Sequence, residues 1–195
     1  MNKNKLQGKD FITIGIFTAI YFVVNFIVSM LGVIPIFIPL LSVLVPLISG
    51  IPFMLFATKS QKFGMVTLMG VLIGLVMGMM GHGIFAFVAG PLCGLVADLI
   101  MKSGDYKSSK KDSLACGVFF LTIIGNYIPI VLAREAYHTQ LVETGYGVEY
   151  ADALMKLVPD WSLIPLTIAA FVFGMIGAQL GKVMLKKHFK RAGIV

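Results

Sequence analysis

Charged side chains are scarce: Asp, Glu, Lys and Arg make up 13% of the 195 residues, against roughly a quarter in a soluble domain. Apolar residues make up 58%, more than a soluble fold of this length can hide, so the composition excludes one. Cysteine is limited to Cys93 and Cys116, both inside apolar runs, which excludes a disulfide framework and leaves two small, inert apolar side chains. The three histidines, His82, His138 and His188, lack the spacing of metal ligands, so no metal site is expected. Also missing are a His-Glu-x-x-His pair, a Gly-x-Ser-x-Gly turn, a Walker-type loop and paired carboxylates at membrane depth. The chain therefore reads as neither an enzyme nor a motor, with no cofactor. It has no inverted repeat and no run of intramembrane charge for ion coupling.

What is present is a series of long apolar runs. A helix needs about 20 apolar residues to cross the hydrocarbon core, and runs of that kind lie near residues 11–31, 34–56, 63–80, 83–101, 113–134 and 161–185. The first is too long for a signal-peptide core and reads as a mature span. The expected fold is an all-α membrane protein, a compact bundle of six transmembrane helices forming a single integral membrane domain over residues 1–195. Fourteen of the sixteen Lys and Arg fall on one side of this topology: Lys3, Lys5, Lys9, Lys59, Lys62, Lys102, Lys107, Lys110, Lys111, Lys182, Lys186, Lys187, Lys190 and Arg191. Arg134 and Lys156 fall on the other. Basic residues favour the cytoplasmic face, so both termini are expected in the cytoplasm of a cell-membrane protein, with the 135–160 connection outside. The net charge of +7 reports topology. Without an aromatic-interleaved basic face it implies no nucleic acid.

Small residues recur at helical spacing: Gly70, Gly74 and Gly78; Ala86, Gly90 and Gly94; Gly174 and Ala178 with Gly177 and Gly181. In lipid such faces allow close backbone approach, either within one bundle or toward a partner. Gly15 and Ala19 form a similar patch on the first span, open to either use. Prolines at 91 and 129 displace the carbonyls of Phe87 and Gly125, which fits either kinked helices around a pocket or irregular packing.

Polar groups inside the spans are few and so informative. Tyr127, Arg134 and His138 are expected as one stripe on the fifth span, with Asn126 at its edge; Thr18, Tyr21 and Asn25 form another on the first. His82 sits in a glycine-flanked external turn, with Phe85 one turn deeper. In the 135–160 connection, Ala151, Leu154, Met155 and Val158 share a face before Pro159. Asn25, His82, Phe85, Asn126, Tyr127, Arg134, Tyr137 and His138 thus converge on the outer half as candidate substrate-binding residues, beside Glu135. For single residues plainer readings stand beside this one: Arg134 snorkelling to headgroups, His82 capping a turn. Asp98 lies at the opposite end, where an ion pair with Lys59 or Lys62 is expected, a proton-coupling carboxylate being the alternative.

The segments KDFITIGIFTAIYF at 9–22, MGHGIF at 80–85 and GLVADL at 94–99 resemble the Trep_Strep family, and the whole chain resembles a substrate-binding S component of an energy-coupling factor (ECF) transporter. That resemblance implies capture of a vitamin-like small molecule from outside. It also implies partners: an ECF transmembrane coupling subunit with two cytoplasmic ATPases. The docking patch of such proteins is Ala-x-x-x-Ala on the first helix; here it is Gly15-x-x-x-Ala19, a departure that keeps a small side chain. Arg134 and His82 would then orient polar or anionic groups, and Tyr127 and Phe85 would pack the flat part. The alternative is an autonomous small secondary transporter or channel.

Overall fold

The computed structural model describes residues 5–189, with side chains through Lys187. Lys3, Lys190, Arg191 and the side chain of His188 lie outside that description. The described residues are helical throughout, joined by short turns.

Helix α1, Gly8–Ser29, starts with the Gln7 N–H donating to Asp10 Oδ2 at 2.7 Å. It buries one narrow stripe, Ile14, Thr18, Tyr21, Asn25 and Val28, at the spacing of a single helix face. Phe17 and Phe22 pack beside that stripe, and much of the remaining surface faces outward. Helix α2, Phe37–Lys59, runs through the centre and carries Pro46 and Pro52 inside it. Against it lies α9, Leu163–Met184, so close that a Cβ on Gly50 would stand 2.6 Å from the carbonyl carbon of Gly177. Helix α5, Ser109–Phe120, meets α9 where a Cβ on Gly174 would be 2.9 Å from the Cα of Gly117. Backbones this near gain the dispersion contact that holds helices together in lipid.

Helices α3, Met65–Met77, and α4, Gly83–Lys102, pair antiparallel. A Cβ on Gly70 would lie 2.5 Å from the Gly90 carbonyl, and one on Gly74 would lie 2.9 Å from that of Ala86. A wide turn over Gly78–His82 reverses the chain, with Gly81 at φ 101° and Gly83 at φ 67°. Both angles are in the left-handed region that glycine adopts at no steric cost.

Five segments are long and apolar enough to cross a membrane: Gly8–Val33, Phe37–Lys59, Met65–Lys102, Ser109–Leu132 and Asp160–Lys187. The third contains two of the six runs expected from sequence, joined in one stretch of 38 residues that doubles back at the glycine turn. The fifth expected run forms one apolar span, Ser109–Leu132, but it stops short of Arg134. Helix α5 continues through a tighter turn at Leu121–Ile123 into α6, Ile124–Leu132, and Ala133 (φ −128°, ψ 44°) separates α6 from α7, Arg134–Glu143. Tyr127 therefore lies on a different helix from Arg134 and His138, and the expected common stripe does not form. Helix α8, Val148–Leu157, buries Ala151 and Leu154, with Val158 buried just beyond, on the face its sequence pattern indicates.

Asp98 is wholly buried. The expected ion pair with Lys62 is absent, because Lys62 sits 2.6 Å from Asp10 on α1. The Asp98 carboxylate accepts instead from the Gly64 N–H (2.8 Å), the Thr67 N–H (3.0 Å), the Thr67 hydroxyl (2.9 Å) and the Tyr106 hydroxyl (2.9 Å). It caps the start of α3, where unpaired N–H groups and the helix dipole favour a carboxylate. It also pins the following connection through Tyr106.

Two buried clusters divide the core. The one toward the lysine end is aromatic: Phe53 and Phe119 have ring centroids 4.8 Å apart, and Tyr21 meets Phe119 edge-on at 5.6 Å. The other joins Tyr127 and Ile130 of α6 to Leu141, Ala151, Leu154 and Val158 of the α7–α8 hairpin.

Candidate functional site

Between the clusters lies a cavity of about 550 Å³, at the end of the bundle away from the lysines. Tyr21 and Phe120, from the aromatic cluster, form its floor. Ile73, Gly74 and Met77 of α3 and Ala86 and Gly90 of α4 make one wall, and Ile38, Leu41 and Val45 of α2 another. Thr122, Asn126, Tyr127 and Ile130 line the α5–α6 side. Over the top lie Tyr137, Gln140 and Leu141 of α7, with Thr144, Tyr146 and Tyr150 beyond.

Several polar groups around the cavity are already used in holding it. The Tyr127 hydroxyl donates to the Ile38 carbonyl at 2.6 Å, fixing α6 to the start of α2. The Tyr150 hydroxyl donates to the Gly32 carbonyl at 2.5 Å, tying the cover to the α1–α2 connection. Ser29 donates to Asn25 Oδ1 at 3.1 Å, and His82 Nδ1 lies 3.2 Å from the Met77 carbonyl. A carbonyl only accepts, so Nδ1 carries the proton in that bond. Among the described residues, the side-chain amides of Asn126 and Gln140 and the Thr122 hydroxyl make no hydrogen bond. Burial, then the neighbouring Tyr146, raises the Tyr137 phenol above its usual range. Burial, with Tyr146 and Tyr137 beside it, pushes Tyr150 up to about 12. Both therefore stay protonated donors at neutral pH.

Five of the sequence-derived candidates meet here: Asn25, His82, Asn126, Tyr127 and Tyr137 all line the cavity. Phe85 does not. It points outward, because the next residue, Ala86, takes the inward position against Gly74 and Gly125. Arg134 stands apart as well. Its Nη1 donates to the Val158 carbonyl and its Nη2 to the Met155 carbonyl, each at 2.6 Å, and Asp160 lies 3.1 Å away. The guanidinium thus closes the C-terminal end of α8, whose last carbonyls have no partner within the helix. His138 Nε2 meets Asp152 Oδ1 at 2.8 Å, joining α7 to α8. Arg134 and His138 border a separate open groove with Glu135, Thr139 and Met155. Gly15 and Ala19 are on the outward face of α1, where a Cβ on Gly15 would meet nothing within 4 Å.

Sequence reasoning missed Gln140, Leu141 and Thr144. The signal was there: Tyr137, Gln140, Leu141 and Thr144 recur at the spacing of one helix face, in a segment treated as a loop.

Compared with known proteins, residues 8–191 match the model of a family described as a hypothetical bacterial integral membrane protein, Trep_Strep. No curated protein and no solved structure matches the chain.

Proposed function

The chain belongs to the Trep_Strep family of bacterial integral membrane proteins, and on that premise we propose that it is the substrate-capture component of an ECF-type importer. In this reading the doubled-back segment Met65–Lys102 counts as two spans, making six, and the lysine-bearing ends with both termini face the cytoplasm. The cavity then opens toward the extracellular side. A solute enters beneath the α7–α8 hairpin, displaces water from the tyrosine-lined walls and is held by the polar side chains. Binding does no work by itself. Release inward is driven by a separate coupling subunit with two ATPases, which docks on the smooth Gly15–Ala19 face of α1. The chain acts as a binding and delivery subunit and performs no chemistry of its own.

One observation carries this reading: the cavity is blind. Tyr21 and Phe120 line it below with Phe53 and Phe119 packed behind them, and residues of the α7–α8 hairpin line it above. A channel needs polar groups continuing past that floor, whereas a capture subunit needs only an oriented pocket reached from one side.

The test has two arms. The full chain, purified in mild detergent and denatured, should release a small molecule identifiable by mass spectrometry. Reconstituted alone in vesicles, it should bind but not accumulate or equilibrate that molecule, and transport should appear only with the coupling module. Unaided flux through the lone chain would end the proposal.

A further inference from the structure

The cavity's inventory narrows what it can hold, an inference resting on the capture reading above. No Asp, Glu, Lys or Arg lines it. Arg134, the cation that sequence places closest by, spends its guanidinium on the Met155 and Val158 carbonyls and on Asp160. An ionised solute entering this space would lose its hydration with no opposite charge to replace it, and desolvating an unpaired ion is strongly unfavourable. A phosphate or carboxylate is therefore a poor fit.

What the cavity offers is ring surface and amides. Tyr21 and Phe120 supply the floor, and Tyr146 and Tyr150, with centroids 4.8 Å apart, supply a second aromatic surface above. Flat rings stack on such faces in offset or edge-on arrangements. Met77 and Met80 add polarizable sulfur, which adapts to ring edges. The Asn126 and Gln140 amides, one on the α6 wall and one on the cover, each carry a donor pair and an acceptor with no partner among the described residues. A side-chain amide presents donor and acceptor side by side, the pattern by which Asn and Gln take two-point hold of a base edge. The volume is in the range that encloses a drug-sized molecule.

We propose that the cavity takes an uncharged, flat nitrogen heterocycle of nucleobase to nucleoside size, held through an amide-type edge by Asn126 and Gln140 and carrying no phosphate or carboxylate. The two amides belong to separate elements, so the solute bridges wall and cover and closes the site by being bound.

The measurement is thermal unfolding of the detergent-solubilised full chain against matched pairs: nicotinamide and nicotinate, uridine and uridine monophosphate, guanosine and guanosine monophosphate. At least one neutral member should raise the melting temperature, with its charged partner at least about tenfold weaker. Asn126→Ala and Gln140→Ala should each weaken the neutral ligand about tenfold, while Glu149→Gln, on the outer face of α8, leaves it unchanged. A charged member binding as tightly as its neutral partner overturns the proposal, as does a panel in which no neutral member binds. Recovery of a charged solute from the denatured protein would sink this chemical class and leave capture standing. No recovered solute and no ligand of either kind would sink both.

Discussion

Two glycine-bearing faces of this bundle behave in opposite ways. On the α2–α9 seam, a Cβ at Gly50 would sit 2.6 Å from the Gly177 backbone, and one at Gly177 would run into the Pro46 carbonyl. On α1, a Cβ at Gly15 would meet nothing, and its flanks Ile12 and Ile16 are also outward. Small residues on the seam are structural, since the helices touch only because nothing larger intervenes. On α1 the same residue type holds nothing inside the molecule together. Its outward, smooth surface is the one that the proposed capture reading gives to the coupling subunit.

The largest expected effect breaks the seam. Gly177→Leu forces two backbones apart and should cost roughly 3 kcal/mol or more, seen as loss of monodisperse protein in size-exclusion chromatography. Gly15→Leu should change stability by no more than about 0.5 kcal/mol and leave solute binding intact, yet abolish co-purification with the coupling subunit. Equal yields of the two variants would erase the distinction between the faces.

A similar contrast separates the aromatic core toward the lysine end from the hollow end opposite, and three smaller effects sharpen it. Arg134→Ala removes both hydrogen bonds to the end of α8 without touching the cavity wall. It should weaken the cover by about 2 kcal/mol, roughly thirtyfold faster amide exchange over residues 148–158, while the α3–α4 hairpin exchanges as before. Tyr150→Phe cuts the bond from the cover to Gly32 and should speed solute dissociation by about fivefold, near 1 kcal/mol. The smallest effect is in pH. The Tyr150 phenol ionises near 10 when free and at about 12 in the fold. Between those values the unfolded chain has shed a proton that the native state keeps, so stability falls as pH rises through the window. Melting temperatures on either side of it should show the drop, and Tyr150→Phe should reduce it.

Sequence alone settled the membrane class, the lysine-rich end, the packing faces of α3, α4 and α9 and the buried face of α8. These follow from hydrophobicity, charge and side-chain size, which are properties of each residue and sum along the chain whatever its partners. Five of the eight candidates named from sequence line the cavity for a related reason: a polar residue inside an apolar run has few places to go. Tertiary structure alone decided the rest. Each step along a helix turns the side chain by about 100°, so one residue separates Ala86, which faces in, from Phe85, which faces out. The break at Ala133 carried Arg134 off the α6 axis and onto the end of α8, away from the cavity wall. Lys62 chose Asp10, leaving Asp98 to cap α3. Helix phase, a break in direction and a choice among distant partners depend on how the elements meet, and local composition holds no record of that.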